Sequence, residues 1–569
     1  MRLPSAETRS IHIKCSRPAP LSRFDSQVLM SLYFFNVGMM ITLGLAIPVA
    51  PSVRAAEPVL STVDFIDQQI AQAWDYNEVK PSGPATDEEW VRRSYLDVAG
   101  RIPSLQETTD WLESRDPRKK SVLIESLLGG DDYVRNFTSI WTNACIGRRT
   151  PRRVSRNAME KFFREAFAKG RPWNEVVRDL VTAEGHFEEN GAVNYILAQT
   201  QTPDDAVQLT ARTTRLFLGI QVQCTQCHDH PFNNWQQSQF WQYNSFFRQV
   251  RRIDRRRQDP ESGRLVDDYS EVVRGVFQGP VYFEKRNGLM QVAFPEFQGR
   301  KVDPAADDRR AEFGRLMMEP ADGNSPLIAQ AFVNRMWAHF FGYGFTRPVD
   351  DLGPHNPPSH PDLLIRLGAD FAAADYDVRQ LIRWITSSQA YSLTSKLSDN
   401  NRMDNPSAGE MPLFSHAYLK SMQAEQLYDS LIVATRAHQS GNTGWDTQEK
   451  QRRRWMQQFV VAFDNDENDE ATTFNGTIPQ AMMLMNSELS EKAVSAEQGS
   501  FLHQVLTGSD SEGKKLQQLY LAAFSRHPTR SEISRARRLF RAYGRTGQVA
   551  AFQDLFWALL NSNEFIMVH

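Results

Sequence analysis

Leu216-Phe217-Leu218-Gly219-Ile220-Gln221-Val222-Gln223-Cys224-Thr225-Gln226-Cys227-His228-Asp229-His230-Pro231-Phe232 concentrates the rarest chemistry of this chain: two of its four cysteines and two of its twelve histidines. A helix opened by Pro203-Asp204-Asp205 leads into Cys224-x-x-Cys227-His228. This triplet reads as a c-type haem attachment signal. Thiols three residues apart on one helical turn share a side, so both can bond to the vinyl groups of one haem. The adjoining imidazole of His228 then ligates the iron. Two other readings stay open. Cys224 and Cys227 with His228 or His230 also form a ligand set for zinc, and the cysteines also suit a purely structural turn. His230 precedes Pro231, which pushes it towards an extended conformation.

Working outwards, the spacing predicts helices on both sides. Val63, Ile66, Ile70 and Trp74 recur at helical intervals. Thr86 and Glu89 predict a capping box, and Ser104 caps the next helix. Met159, Phe162, Phe163, Ala166 and Phe167 give an apolar stripe, as do Val176, Val177, Leu180 and Val181. After residue 250 the character changes. Arg251, Arg252, Arg255, Arg256 and Arg257 form a basic cluster that reads as a solvated loop. Asn287-Gly288 between apolar-rich runs predicts a hairpin. Helical spacing returns with Ile328, Phe332, Met336, Trp337 and Phe340 and continues to the end of the chain. The expected fold is mainly α, with two helical domains and a small β-hairpin element between them. The segments are 60–250, 251–300 and 301–569.

Residues 1–55 read as a signal peptide. Lys14, Arg17 and Arg23 precede an apolar run over 28–50, and Val53-Arg54-Ala55 suits cleavage after Ala55. The run is also long enough to be an uncleaved membrane anchor, the one case in which a membrane would be a partner. The expected location is therefore exported, in the periplasm or cell envelope. The 569 residues carry a formal charge of −3. Cleavage removes six basic and two acidic residues, leaving −7. Neither value argues for a nucleic-acid partner. An exported chain with so few cysteines rests on packed cores rather than on disulfides. Cys145 lies in an apolar setting and reads as a buried thiol.

Longer stretches resemble a known family. Val91-Arg92-Arg93-Ser94-Tyr95-Leu96-Asp97-Val98-Ala99-Gly100-Arg101-Ile102-Pro103, Phe217-Leu218-Gly219 and the run from Cys224 to Phe232 resemble the N-terminal cytochrome-c-like domain of exported planctomycete proteins. Phe332-Val333-Asn334-Arg335-Met336-Trp337, Phe341-Gly342-Tyr343-Gly344-Phe345, Pro357-Pro358-Ser359-His360-Pro361 and Pro479-Gln480-Ala481-Met482 resemble the helical C-terminal domain paired with it. Both are domains of unknown function. The resemblance implies haem c at Cys224, Cys227 and His228, and a redox partner in the envelope.

Other constellations are less pointed. A c-type iron commonly takes a distal Met or His, and His186, Met290, Met336, His339 and Met482 are available. His355 and His360 share one loop and suit a metal or substrate, although His360 sits where a helix starts. Asp464-Asn465-Asp466-Glu467-Asn468-Asp469-Glu470 is acidic enough for calcium, but lacks the Gly and Glu of an EF-hand. The sequence has no G-x-S-x-G, P-loop or dinucleotide fingerprint. Two function classes follow: a haem protein serving electron transfer or redox support, or an exported binding or scaffold protein with a structural or zinc-binding turn.

Overall fold

Thr86 shows how sequence becomes architecture here. Its side chain accepts from Glu89 N at 3.3 Å and starts the helix Asp87–Ser94. The reciprocal half of the expected capping box is replaced. The Glu89 carboxylate turns inwards to Arg93 at 2.9 Å and also accepts from Thr394 Oγ1 and Ser395 N. Ser104 and Glu107 do form the full box.

The protein is described by a computed structural model over residues 60–568, except 232, 321–324, 442–443 and 463–477. The expected export segment 1–55 and the acidic run 464–470 lie outside the described residues. The fold is mainly α: the described residues form 23 α-helices and nine strands, the longest strand ten residues. No helix among them is long and apolar enough to cross a membrane.

Val59–His569 form one compact unit with two hydrophobic clusters. The larger draws on side chains from Ile66 to Tyr418. At its centre Trp141 and Trp173 meet at 4.1 Å between ring centroids, and Phe332 stacks on them at 5.5 and 4.5 Å. Phe332 lies on the helix Leu327–Phe341, so helices from both sides of the β segment share this core. The smaller cluster gathers residues between Met422 and Val568, with Leu96 and Ile102 reaching into it.

The β segment is richer than one hairpin. Val250–Gln258 pairs antiparallel with Leu265–Arg274, and Gly185–His186 adds to the other edge of the latter. The arginine cluster expected to be a loop is thus a strand. Its charges pair across the ladder, Arg255 with Glu271 at 2.7 Å and Arg257 with Asp268 at 3.5 Å. Five arginines in seven residues mask the two-residue alternation by which a strand is recognised. The expected Asn287-Gly288 turn joins Val281–Glu284 to Met290–Ala293, with Gly288 at φ +80°.

Candidate functional site

The helix Val207–Leu218 stops because Gly219 takes a left-handed conformation, φ +66°. A side chain there would also collide, since a Cβ would lie 2.9 Å from Leu352 Cδ1. Ile220 and Val222 then anchor the chain in the core. Between these anchors and the next helix the motif is held at the surface.

Gln223–Gln226 makes one 3-10 turn. Thr225 is buried and its hydroxyl donates to Val222 O at 2.7 Å, so the turn faces inwards through the residue between the cysteines. Cys224 and Cys227 are exposed free thiols. Gln226 O accepts from Gln237 Nε2 and from Trp241 Nε1, each at 3.2 Å. Asp229 Oδ1 accepts Gln237 N at 2.8 Å. The helix Gln237–Asn244 therefore clamps the motif from behind, and Trp241 stacks on Phe283 of the hairpin at 5.9 Å.

The hydrogen bonds also fix which histidine nitrogen is available. His228 Nδ1 lies 2.7 Å from Asp229 O. A carbonyl only accepts, so Nδ1 carries the hydrogen and Nε2 keeps its lone pair. His230 has the opposite arrangement: Asn233 N–H donates to its Nδ1 at 3.2 Å, which places the hydrogen on Nε2. His228 thus presents an Nε2 lone pair and His230 an Nε2–H. Among the described residues no group of three His, Cys, Asp or Glu side chains is arranged to hold a metal ion.

A second segment meets the motif. His355 lies with its ring centroid 6.1 Å from that of His230, and its Nε2 is 3.0 Å from Asp351 Oδ1. Its Nδ1 is buried with no hydrogen-bond partner among the described residues. The loop is tied to the end of the motif's helix. Leu352 N donates to Gly219 O at 2.6 Å, Arg215 Nε to Asp350 Oδ2 at 2.6 Å, and Gln221 Nε2 to Asp350 Oδ1 at 3.0 Å. Arg335 adds a second cation, 3.8 Å from Asp350. Burial pulls its basicity down, Asp350 opposes this, and Arg212 and Arg215 reinforce it.

Of the distal-ligand residues named from sequence, His186, Met336 and His339 are occupied elsewhere. His186 packs on Tyr269 at 4.3 Å and its Nδ1 accepts Glu188 N. Met336 is in the core. His339 Nε2 donates to Asp97 O at 2.8 Å, and burial and the Lys420 ammonium lower its basicity. Met290 and Met482 are exposed, and Cys145 is buried. His360 is buried beside Phe414 and bonds Ser359 through Nδ1, apart from the role expected of a shared histidine loop. Sequence reading missed Asp350 and Asp351. Two adjacent acids ahead of Gly353-Pro354-His355 were the available signal.

Residues 65–252 match the PSCyt2 family model, described as a protein of unknown function (DUF1549), and residues 309–540 match PSD1, described as a protein of unknown function (DUF1553). The chain carries these two domains of unknown function in that order. No curated protein and no solved structure matches it. The cysteine motif lies in the first matched region, and Asp350, Asp351 and His355 in the second.

Proposed function

We propose that this is an exported haem protein, with haem c bound through Cys224 and Cys227 and ligated by His228, serving electron transfer or redox support in the cell envelope with a protein partner there. The observation that carries this is the His228 ring. Its Nδ1–H is spent on Asp229 O, which orients the imidazole and leaves Nε2 for iron. The thiols fit the same group, because both are free and open to solvent. When bound, the haem supplies reversible one-electron exchange. The chain's part is to hold the turn rigid through Thr225, Gln226 and Asp229, so that thiols and imidazole keep their mutual placement.

The zinc reading, with His228 or His230 beside Cys224 and Cys227, is less well supported, since among the described residues no three His, Cys, Asp or Glu side chains are arranged to hold a metal ion. Calcium at 464–470 has no support beyond the acidic sequence.

The test is expression of the full chain in a host with cytochrome-maturation machinery. Haem should remain on the polypeptide after denaturing electrophoresis, and Cys224→Ala with Cys227→Ala should remove it. A colourless wild-type protein of unmodified mass would overturn the reading.

A further inference from the structure

We infer that the groove beside the helix Arg530–Tyr543 is a binding site for a small ligand carrying several phosphate groups; the inference stands apart from the haem reading. Arg530, Arg537 and Arg541 follow one another at seven and four residues, so they share one face of this helix. Arg545, just past its end, joins them along a groove of about 720 Å³, within the roughly 300–1,000 Å³ of small-ligand sites. Ile533 and Phe540 add apolar lining, and Glu512 is the one acid there. None of the four arginines pairs with a carboxylate among the described residues. The helix's own acid is already taken, since Arg526 bonds Glu532 at 2.9 Å and Glu564 at 2.6 Å. Arg541 Nε donates to Arg537 O at 3.3 Å, which leaves its Nη atoms without a partner among the described residues. Arg537 and Arg541 thus repel each other one turn apart, with no counterion from the fold.

A second feature opens into the same groove. The helix Gln548–Leu560 begins there through Gln548, and its N-cap is Gly547, with no capping side chain. A Cβ at Gly547 would lie 2.6 Å from Tyr543 O, so no side chain fits the capping position. The first amides of that helix therefore lack an acceptor among the described residues, and they carry the positive end of its dipole. Guanidinium forks and helix N-terminal amides are both donors suited to phosphate oxygens. Four cations against one acid call for several negative charges, which points to an oligophosphate rather than to a single phosphate. The groove offers no exposed aromatic ring on which a nucleic-acid base could stack. The helix also turns its apolar side, Ala536 and Phe540, into the core, leaving none to enter a membrane.

The experiment is calorimetric titration of the full chain with tripolyphosphate at about 0.15 M salt, where screening over about 8 Å suppresses diffuse attraction. Saturable binding to a single class of sites is expected. Arg537→Gln with Arg541→Gln should weaken it roughly tenfold or more. Arg535→Gln with Arg538→Gln removes the same charge from the same helix outside the groove, and should leave the affinity within about twofold. All four side chains are exposed, so both variants should keep the wild-type circular dichroism spectrum and thermal unfolding. Absence of saturable binding to the wild type, or equal losses in the two variants, would overturn the proposal. So would a wild type that ignores tripolyphosphate yet binds anionic lipid vesicles or duplex DNA, since the arginines would then serve a membrane or a nucleic acid.

Discussion

The Asp97 carboxylate lies 2.5 Å from the Lys420 ammonium, with both side chains almost fully enclosed. Asp97 belongs to the π-helical turn Tyr95–Ala99, a distortion that often marks a constrained position. Tyr391 OH donates to its other oxygen at 2.9 Å. Lys420 also donates to Phe340 O at 2.9 Å and to His339 O. Four distant segments thus meet at one buried ion pair. Burial lowers the basicity of Lys420, and Asp97 opposes that.

Breaking this pair should be costly. Lys420→Met leaves Asp97 charged in the interior, and a loss of about 3–5 kcal/mol is expected. Adding Asp97→Asn should cost less than the sum of the single changes, since the charge it removes has already lost its counterion. Urea unfolding of the three variants measures this. A loss below about 1 kcal/mol for Lys420→Met would show the pair to be dispensable.

Arg92 ties the first helices to the end of the chain. Its Nη atoms donate to Ala523 O, Phe565 O and Glu564 O at 2.9, 2.8 and 3.3 Å, and it is wholly buried. Lysine has no planar fork to reach all three carbonyls. Arg92→Lys should cost about 2–4 kcal/mol and speed proteolysis in the bundle after residue 420. Unaltered thermal unfolding and cleavage would count against this role.

Acid should weaken the fold through His360. Burial holds its imidazole down to about 4, with Asp404 acting against that. The unfolded chain takes up the proton near 6.5 and the folded chain only near 4. Stability is therefore intact above about pH 6.5 and falls as pH drops through this window, by about 3 kcal/mol in all. His416, also lowered by burial, acts in the same direction. His360→Leu should flatten the stability profile between about pH 7 and 4; a profile parallel to that of wild type would exclude His360 as its source.

Gly219→Ala should loosen the joint between the motif and the His355 loop. The new methyl would meet Leu352 Cδ1 at 2.9 Å and Ala331 Cβ at 3.2 Å, in a backbone conformation that disfavours side chains. Strain and overpacking together should cost about 2–4 kcal/mol. Faster amide exchange at Leu352, which donates to Gly219 O, should accompany the loss. Unchanged exchange there would show that the joint absorbs the methyl.

Much of this was legible in the sequence where the cause is local. Ser104 caps its helix through its own third neighbour, and Asn287-Gly288 turns its own hairpin. The arginine strand was missed because its stability lies in Asp268 and Glu271 on the facing strand, not in its own pattern. Arg92, Arg93 and Asp97 looked like part of a family signature in the sequence; in the fold they are interior ties to residues 391–393, 420 and 523–565.

By itself, then, the sequence determined a mainly helical chain and the turn Cys224-x-x-Cys227-His228, because helix caps, apolar spacing and motif spacing act over a few residues. Only the tertiary structure decided which side chains meet there. The nitrogen presented by His228 depends on where one carbonyl points, and the approach of His355 depends on how the helix Leu327–Phe341 and its following loop pack against Val207–Leu218. Those placements follow from burying the surfaces of distant helices against one another, and such long-range packing leaves no periodic trace in the chain.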